Sequence, residues 1–514
     1  MKEAEEAGQP RGTQRPTAEW FDGAMTDTAR ARHTAEALHA FLTGAGPSAD
    51  GSAEDTAVRL FQHTAATVPA YREFLRERGI DPGAVESIGD FRRVPMTDKE
   101  SYHHRYPLPE RCRDGRLDGC DLVSVSSGSS GTPTIWPRSV VDELAVARRF
   151  EQVFRDGFQA GQRTTLAVVC FPLGTWVGGL FTTACVRHLS ARGYPVTTVA
   201  PGNNKAEILR VLPELAPHFE QVVLLGYPPF LKNVIDSGLA GGVPWADWNV
   251  RLVFAGEVFS EQWRELVAGR AGLADAATGS ASLYGTADAG VLANETPLSV
   301  TVRRFLAGRP GLATEVFGAP RLPTLLQYDP ASRFFETHAG TLLFTSDGGV
   351  PLIRYHIADE GGLIGYDEML SLCRRHGCDP VAMAGSTGGE LPFVFVFGRS
   401  LFTVSFFGAN VYPENVTVGL EQPGISDLVT GKFVLEVTED SDADHRLRVT
   451  VELAPGRAAD AGALAVSIRD QLLSLNSEFA HYVPPSRQLP QVQLRPFEDP
   501  EFFPAGVKHR YTRG

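Results

Sequence analysis

Four apolar runs of strand length alternate with amphipathic segments between Thr164 and Gly272, and this pattern limits the fold more than anything else in the chain. The runs are TTLAVVCF (Thr164–Phe171), YPVTTVA (Tyr194–Ala200), QVVLLG (Gln221–Gly226) and VRLVFAG (Val250–Gly256). Beside them stand LFTTACVRHLSARG, KAEILRVLPELAPHF and SEQWRELVAGRAG, whose apolar residues recur at helical spacing. Strand–helix–strand alternation predicts an α/β fold, with a parallel sheet covered by helices on both faces. After Ala281 the strands shorten and turns multiply, as in GTLLFTSDGGVPLIRYHIAD. After Arg399 the pattern changes again. GKFVLEVTEDSDADHRLRVTVEL reads as a β-hairpin around a polar turn, and ALAVSIRDQLLSLNSEF as an amphipathic helix.

The organisation expected is a disordered tail over 1–16, a large N-terminal α/β region over 17–398 with parallel or mixed sheets, and a small mobile α+β domain over 399–514. The stretch Thr28–Arg78 is read as helical. A chain of 514 residues exceeds one ordinary core. Its formal charge of −13, with no long basic run, argues against nucleic acid or an anionic membrane surface as main partner. No stretch approaches the roughly eighteen apolar residues of a membrane span. The polar, acid-bearing N-terminus does not read as a secretory signal, so a cytoplasmic location is expected. Of six scattered cysteines, only Cys373 and Cys378, with His376 between them, invite a metal reading. Their spacing is not that of a zinc knuckle, and structural cysteines are the expectation.

The stretch SVSSGSSGTPTIW (Ser124–Trp136) is either a flexible linker or a loop whose hydroxyls and backbone N–H groups grip an anion. It is not a Walker loop, because Gly131 is followed by Thr132 and Pro133. Nor is it a dinucleotide fingerprint, since only Gly128 and Gly131 are present. SSGSSGTPT (Ser126–Thr134) does resemble the [ST]SG[ST]TGxPK-type loop of the acyl-adenylate-forming superfamily, especially the SSGTTGxPT form of its phenylacetate–CoA ligase branch. Further motifs follow in that family's order. FRRVPMTDKESYHHRYP (Phe91–Pro107) looks like lPfttKxdlrxxyP, and VFAGEVFSEQWREL (Val253–Leu266) like gaEpwsexxR. LYGTADAG (Leu283–Gly290) is similar to YGxTE, PLIRYHIADEGG (Pro351–Gly362) to RYrTGD, and FGRSLFTVSFFGANVYPENV (Phe397–Val416) to GRxDDxixxxGxNvyPxxIE. The terminal PAGVKHRYTRG puts Lys508 where the family keeps a lysine, so the resemblance runs from about Val68 to the C-terminus.

The resemblance implies joining a carboxylate to the α-phosphate of ATP, which is chiefly a matter of positioning and charge stabilisation. Ser126, Ser127, Gly128, Ser129, Ser130, Gly131 and Thr132 would face the outer phosphates, and Gly256 and Glu257 would lie against the nucleotide. Tyr284, Gly285 and Thr286 belong to the same nucleotide site, with Tyr284 packing on adenine. Asp288 would be catalytic and hold Mg²⁺. Asp359 would accept hydrogen bonds from ribose, and Arg399 would reach ribose or phosphate. Lys508 would meet the developing charge at the α-phosphate. The bland readings are a solvated linker, a turn aspartate, a core tyrosine and a tail lysine.

The chain departs from the pattern at informative points. YGxTE ends here in Ala287 and Asp288, and TGD has become Ile357-Ala358-Asp359. Leu401 replaces the hinge aspartate, and Ser405 a basic residue four places on. The acid pocket is expected around FPLGTWVGGLF, where Phe171 and Trp176 suit an aromatic acid and Gly178 and Gly179 leave room; ordinary core packing is the alternative. The expected reaction activates an aromatic carboxylic acid with ATP and Mg²⁺, then passes the acyl group to CoA. An amine or hydroxyl acceptor stays open, as does a decayed nucleotide-binding protein. The insertion 363–393 has no assigned role, and either a monomer or a homodimer is compatible with the sequence.

Overall fold

A computed structural model describes residues 28–44, 52–125, 134–175, 177–256, 258–319, 321–385, 389–399, 404–406, 409–439, 445–476, 479–480, 483, 485–504, 509 and 511–512. In chain order its strands are β1 (Leu122–Val125), β2 (Ile135–Arg138), β3 (Thr165–Val169), β4 (Val196–Val199), β5 (Gln221–Gly226) and β6 (Val250–Ala255). Then come β7 (Ser280–Thr286), β8 (Gly290–Asn294), β9 (Thr324–Gln327), β10 (Phe334–His338), β11 (Thr341–Ser346), β12 (Leu352–Ile364) and β13 (Phe393–Arg399). The last are β14 (Val404–Phe406), β15 (Ala409–Val411), β16 (Val429–Glu439), β17 (His445–Leu453) and β18 (Gln491–Arg495).

Eleven of these form one sheet, in the order β10-β11-β12-β13-β9-β8-β7-β6-β5-β3-β4. From β4 to β7 all neighbours are parallel, as the alternating segments predict. From β7 onward every pairing is antiparallel. The pleat explains why the parallel strands read as unbroken apolar runs: both faces are buried. On β3, Ala167 and Val169 pack against helices Val140–Gln152 and Val177–Ala191 through Phe150, Phe181 and Leu189. Leu166 and Val168 face the opposite layer, where Leu212, Leu231 and Trp263 come from helices Lys205–Leu215, Pro228–Ala240 and Glu261–Arg270. Each large apolar side chain enclosed in this way contributes roughly 1.5–3 kcal/mol.

The N-terminal stretch is helical over Thr28–Thr43, Ala53–Thr67 and Pro69–Glu77. The insertion forms helices Tyr366–Arg375 and Pro380–Ala384. Cys373 and Cys378 join an apolar cluster there with Leu298, Val302 and Phe393. Burial pushes the Cys373 thiol up to about 12, and among the described residues no three His, Cys, Asp or Glu side chains gather to hold a metal.

Towards the C-terminus β16 and β17 make the expected hairpin. β18 adds to it in parallel, and helix Ala461–Leu475 covers one face through Leu464, Ile468 and Leu472. Among the described residues, polar contacts join this layer to the large sheet's helices. Lys232 Nζ donates to the Val429 carbonyl at 3.3 Å, Ser260 Oγ to Glu421, and Arg270 to Asp427. Among the described residues no helix is long and apolar enough to cross a membrane.

Candidate functional site

The carboxyl ends of adjacent parallel strands carry much of the chemistry singled out in the sequence. Phe171 follows β3, Tyr227 follows β5, Gly256 follows β6, and Tyr284, Gly285 and Thr286 end β7. In open α/β sheets this edge is where ligands bind, because strand ends and loops leave side chains and backbone donors unpaired there. The rings of Phe171 and Tyr227 meet edge-on at 5.2 Å. Gly256 takes a left-handed backbone (φ 86°), and a Cβ there would come within 2.8 Å of the Tyr227 ring, so only glycine suits that position. Tyr227 was missed in the sequence; a tyrosine closing the apolar run QVVLLG is the signal that marks it.

Tyr284 and Asp359 come from motifs far apart in the chain and meet directly. The Tyr284 hydroxyl donates to Asp359 Oδ2 at 2.6 Å, and the Tyr284 ring stacks on Phe335. Asp359 sits on β12 opposite Arg399 of β13 and is buried. Its neighbour Ala358 holds a positive φ of 61° at the place where the resembled motif has glycine. Thr286 closes the β7–β8 turn by accepting from the Ala289 N–H at 3.1 Å.

Asp288, in that turn, is enclosed. Lys99 Nζ lies 3.4 Å from its Oδ1, and the Tyr355 hydroxyl donates to its Oδ2 at 2.7 Å; the carboxyl side chain is 2% exposed. Lys99 is held there because its segment is tied to β12. Thr97 N–H donates to the Arg354 carbonyl at 3.2 Å, His356 N–H to the Thr97 carbonyl at 2.8 Å, and Thr97 Oγ1 to the Ile353 carbonyl at 2.9 Å. Asp98 then caps the short helix Lys99–His103 by accepting from the Ser101 N–H. Arg138 on β2 adds a second cation, itself buried, bonded to the Ala287 carbonyl and within electrostatic reach of Asp142 and Asp288.

The sequence expects Mg²⁺ at Asp288, where the structure sets Lys99 on one carboxylate oxygen and Tyr355 on the other. Mg²⁺ is a small cation that keeps most of its waters, so at this carboxylate it would meet Lys99 and Tyr355 as competitors. Lys99 and Tyr355 were not singled out in the sequence, although Lys99 lies inside the quoted segment Phe91–Pro107.

His103 sits behind this cluster, 4.6 Å from the Trp136 ring and 5.4 Å from that of Tyr355, and Arg111 donates to its Nδ1 at 2.9 Å. Burial, with Arg111 and Lys99 adding to it, pushes this imidazole well below its ordinary range and keeps it neutral.

The glycine-rich stretch lies between two described anchors. β1 pairs with β2 antiparallel, with Val125 opposite Ile135. Val125 N–H donates to the Thr175 carbonyl at 2.8 Å, and Thr134 Oγ1 lies 3.3 Å from His104 Nε2. Ser126, Ser127, Gly128, Ser129, Ser130, Gly131 and Thr132 are outside the described residues, as are Trp176, Glu257, Leu401 and Lys508, and the Arg399 side chain. Gly178 and Gly179 do not leave open space. A Cβ on Gly178 would stand 3.3 Å from Phe171, and one on Gly179 would strike the Pro172 carbonyl at 2.2 Å. The helix start packs closely on Phe171–Leu173, so these glycines serve close approach rather than an opening.

No protein-family model matches the chain. It is 25% identical over 382 residues to a phenylacetate–coenzyme A ligase of Thermus thermophilus, covering 71% of this chain and 73% of that one. A phenylacetate–coenzyme A ligase of Escherichia coli is 22% identical over 316 residues, covering 58% of this chain and 63% of its own length. Among solved structures, a 2-hydroxyisobutyryl-CoA ligase in a postadenylation state superposes with a TM-score of 0.62 at 16% identity, over 93% of this chain and 89% of that one.

Proposed function

We propose that the chain, similar to phenylacetate–coenzyme A ligases, is an acyl-adenylate-forming enzyme that activates an aromatic carboxylic acid as the acyl-adenylate and transfers the acyl group to CoA. One carboxylate oxygen attacks the α-phosphorus of ATP, and pyrophosphate leaves. The CoA thiol then attacks the acyl carbon, and AMP departs with that oxygen. The observation that carries the reading is the meeting of Tyr284 and Asp359 at the carboxyl end of β7, beside the Asp288 turn. A tyrosine ring and a buried carboxylate at this spacing suit adenine and the paired ribose hydroxyls.

In this reading Ser126–Thr132 face the outgoing pyrophosphate, Gly256 and Glu257 flank the nucleotide, and Arg399 reaches ribose or phosphate. Lys508 closes over the α-phosphate from a small mobile domain spanning 399–514, against a large domain of 17–398. The acid lies against Phe171 and Tyr227, whose edge-on pair presents an aromatic wall at the ends of β3 and β5. That wall supports an aryl or arylacetic acid, and Trp176 belongs beside it. The Thermus thermophilus and Escherichia coli relatives, named for CoA, support that acceptor over an amine.

A pyrophosphate-release assay with a panel of aryl acids, followed by mass spectrometry of products with and without CoA, tests the proposal. Acid-dependent pyrophosphate and a CoA thioester are expected; an amide or ester product would replace the acceptor. AMP binding without acid-dependent pyrophosphate from any acid would favour a decayed nucleotide-binding protein. Lys508→Ala is expected to bind AMP normally and to release no pyrophosphate.

A further inference from the structure

Asp288 carries one negative charge, and two protein cations already answer it. Lys99 lies 3.4 Å from Oδ1, and Arg138 stands within electrostatic reach behind it. Tyr355 occupies the remaining oxygen at 2.7 Å. A divalent ion arriving here would have to displace Lys99 from its carboxylate, shed its own water, and sit beside two like charges. An ammonium has three N–H donors, and the pairing with Asp288 uses one. Lys99 is also 29% exposed in its side chain while Asp288 is sealed, so the pair turns its cationic end outward. The three backbone and hydroxyl bonds from Thr97 to β12, with the Asp98 cap, fix the lysine's root against the sheet.

We propose that Lys99 takes the place of a protein-bound divalent cation at Asp288. Its ammonium, oriented by Asp288 and Tyr355, meets the phosphate of the bound nucleotide, and the metal that accompanies ATP is held by the nucleotide rather than by this carboxylate. Lys99 is then a catalytic residue, and Asp288 a positioning residue acting through it. The inference rests on the adenylate-forming reading, because it needs a nucleotide at the end of β7.

Two measurements on the full chain test it without turnover. Electron paramagnetic resonance with Mn²⁺ alone reports metal at Asp288. The wild type is expected to bind none, whereas Lys99→Met, which frees Asp288 Oδ1 of its ammonium partner, gains a Mn²⁺ site that Lys99→Met/Asp288→Asn lacks. Calorimetry with AMP, which needs no metal, and with adenosine isolates the phosphate contact. Lys99→Met is expected to weaken AMP by about tenfold or more while leaving adenosine unchanged, and Lys99→Arg to restore part of the loss. Circular dichroism melts establish that the variants fold.

Mn²⁺ binding by the wild type that is lost in Asp288→Asn overturns the proposal, as does AMP binding by Lys99→Met at wild-type affinity. A wild type that binds neither AMP nor adenosine overturns the nucleotide reading and the phosphate contact with it. The Mn²⁺ measurement still decides separately whether Lys99 excludes metal from Asp288.

Discussion

The Tyr284 hydroxyl lies 2.6 Å from Asp359 Oδ2, joining the last parallel strand of the large sheet to the long strand β12. The two strands are not neighbours in the sheet, so this bond ties the carboxylate to β7 across the intervening strands β13, β9 and β8.

Tyr284→Phe removes that tether and keeps the ring on Phe335. A lost hydrogen bond to a buried partner costs about 1–3 kcal/mol. The variant is expected to fold, melt at lower temperature, and bind AMP several-fold to about a hundredfold more weakly by calorimetry. Unchanged AMP affinity would detach the tether from the nucleotide site.

Ala358 holds a left-handed backbone beside Asp359, where the resembled motif has glycine. The conformation costs a non-glycine residue about 1–2 kcal/mol, and glycine's freer unfolded chain takes back roughly half of that. Ala358→Gly is therefore expected to raise stability by about 0.5–1 kcal/mol in urea unfolding. A loss of stability would mean that the alanine methyl contributes packing that outweighs the strain.

Glu421 meets Ser260 where the C-terminal layer contacts the large sheet's helices. Its Oε1 is sealed from solvent without a partner. Burial raises this carboxyl to about 8, against the lowering effects of Ser260, Arg303 and Lys232. The folded chain thus holds the Glu421 proton more tightly than the unfolded chain. Its contribution is complete below the ordinary value of 4.5 and is lost as pH rises towards about 8. Melting temperatures between pH 5 and 9 should fall more steeply for the wild type than for Glu421→Gln, which stays neutral; parallel curves would contradict the assignment.

The parallel half of the sheet was legible because each strand is buried on both faces and each helix on one, which leaves periodic marks in the residues themselves. Its continuation into β8–β13 was not. Pairings such as β9 with β13 are non-local, and no local pattern records them. The same distinction holds at the site. Tyr284 and Asp359 stood out through their motifs, whereas Lys99 and Tyr355 reach Asp288 through the long-range bonding of Thr97 to β12. Gly178 and Gly179 were read as space, but Phe171 and the Pro172 carbonyl fill it. A glycine in sequence does not distinguish an opening from a close approach.

The most direct test of the central claim follows one oxygen atom. When the substrate acid carries ¹⁸O in its carboxylate, adenylation and acyl transfer deliver one labelled oxygen to AMP. Mass spectrometry of the nucleotide product is predicted to show AMP with a single ¹⁸O, dependent on the acid. Unlabelled AMP, or ADP as the product nucleotide, would contradict an acyl-adenylate on the path.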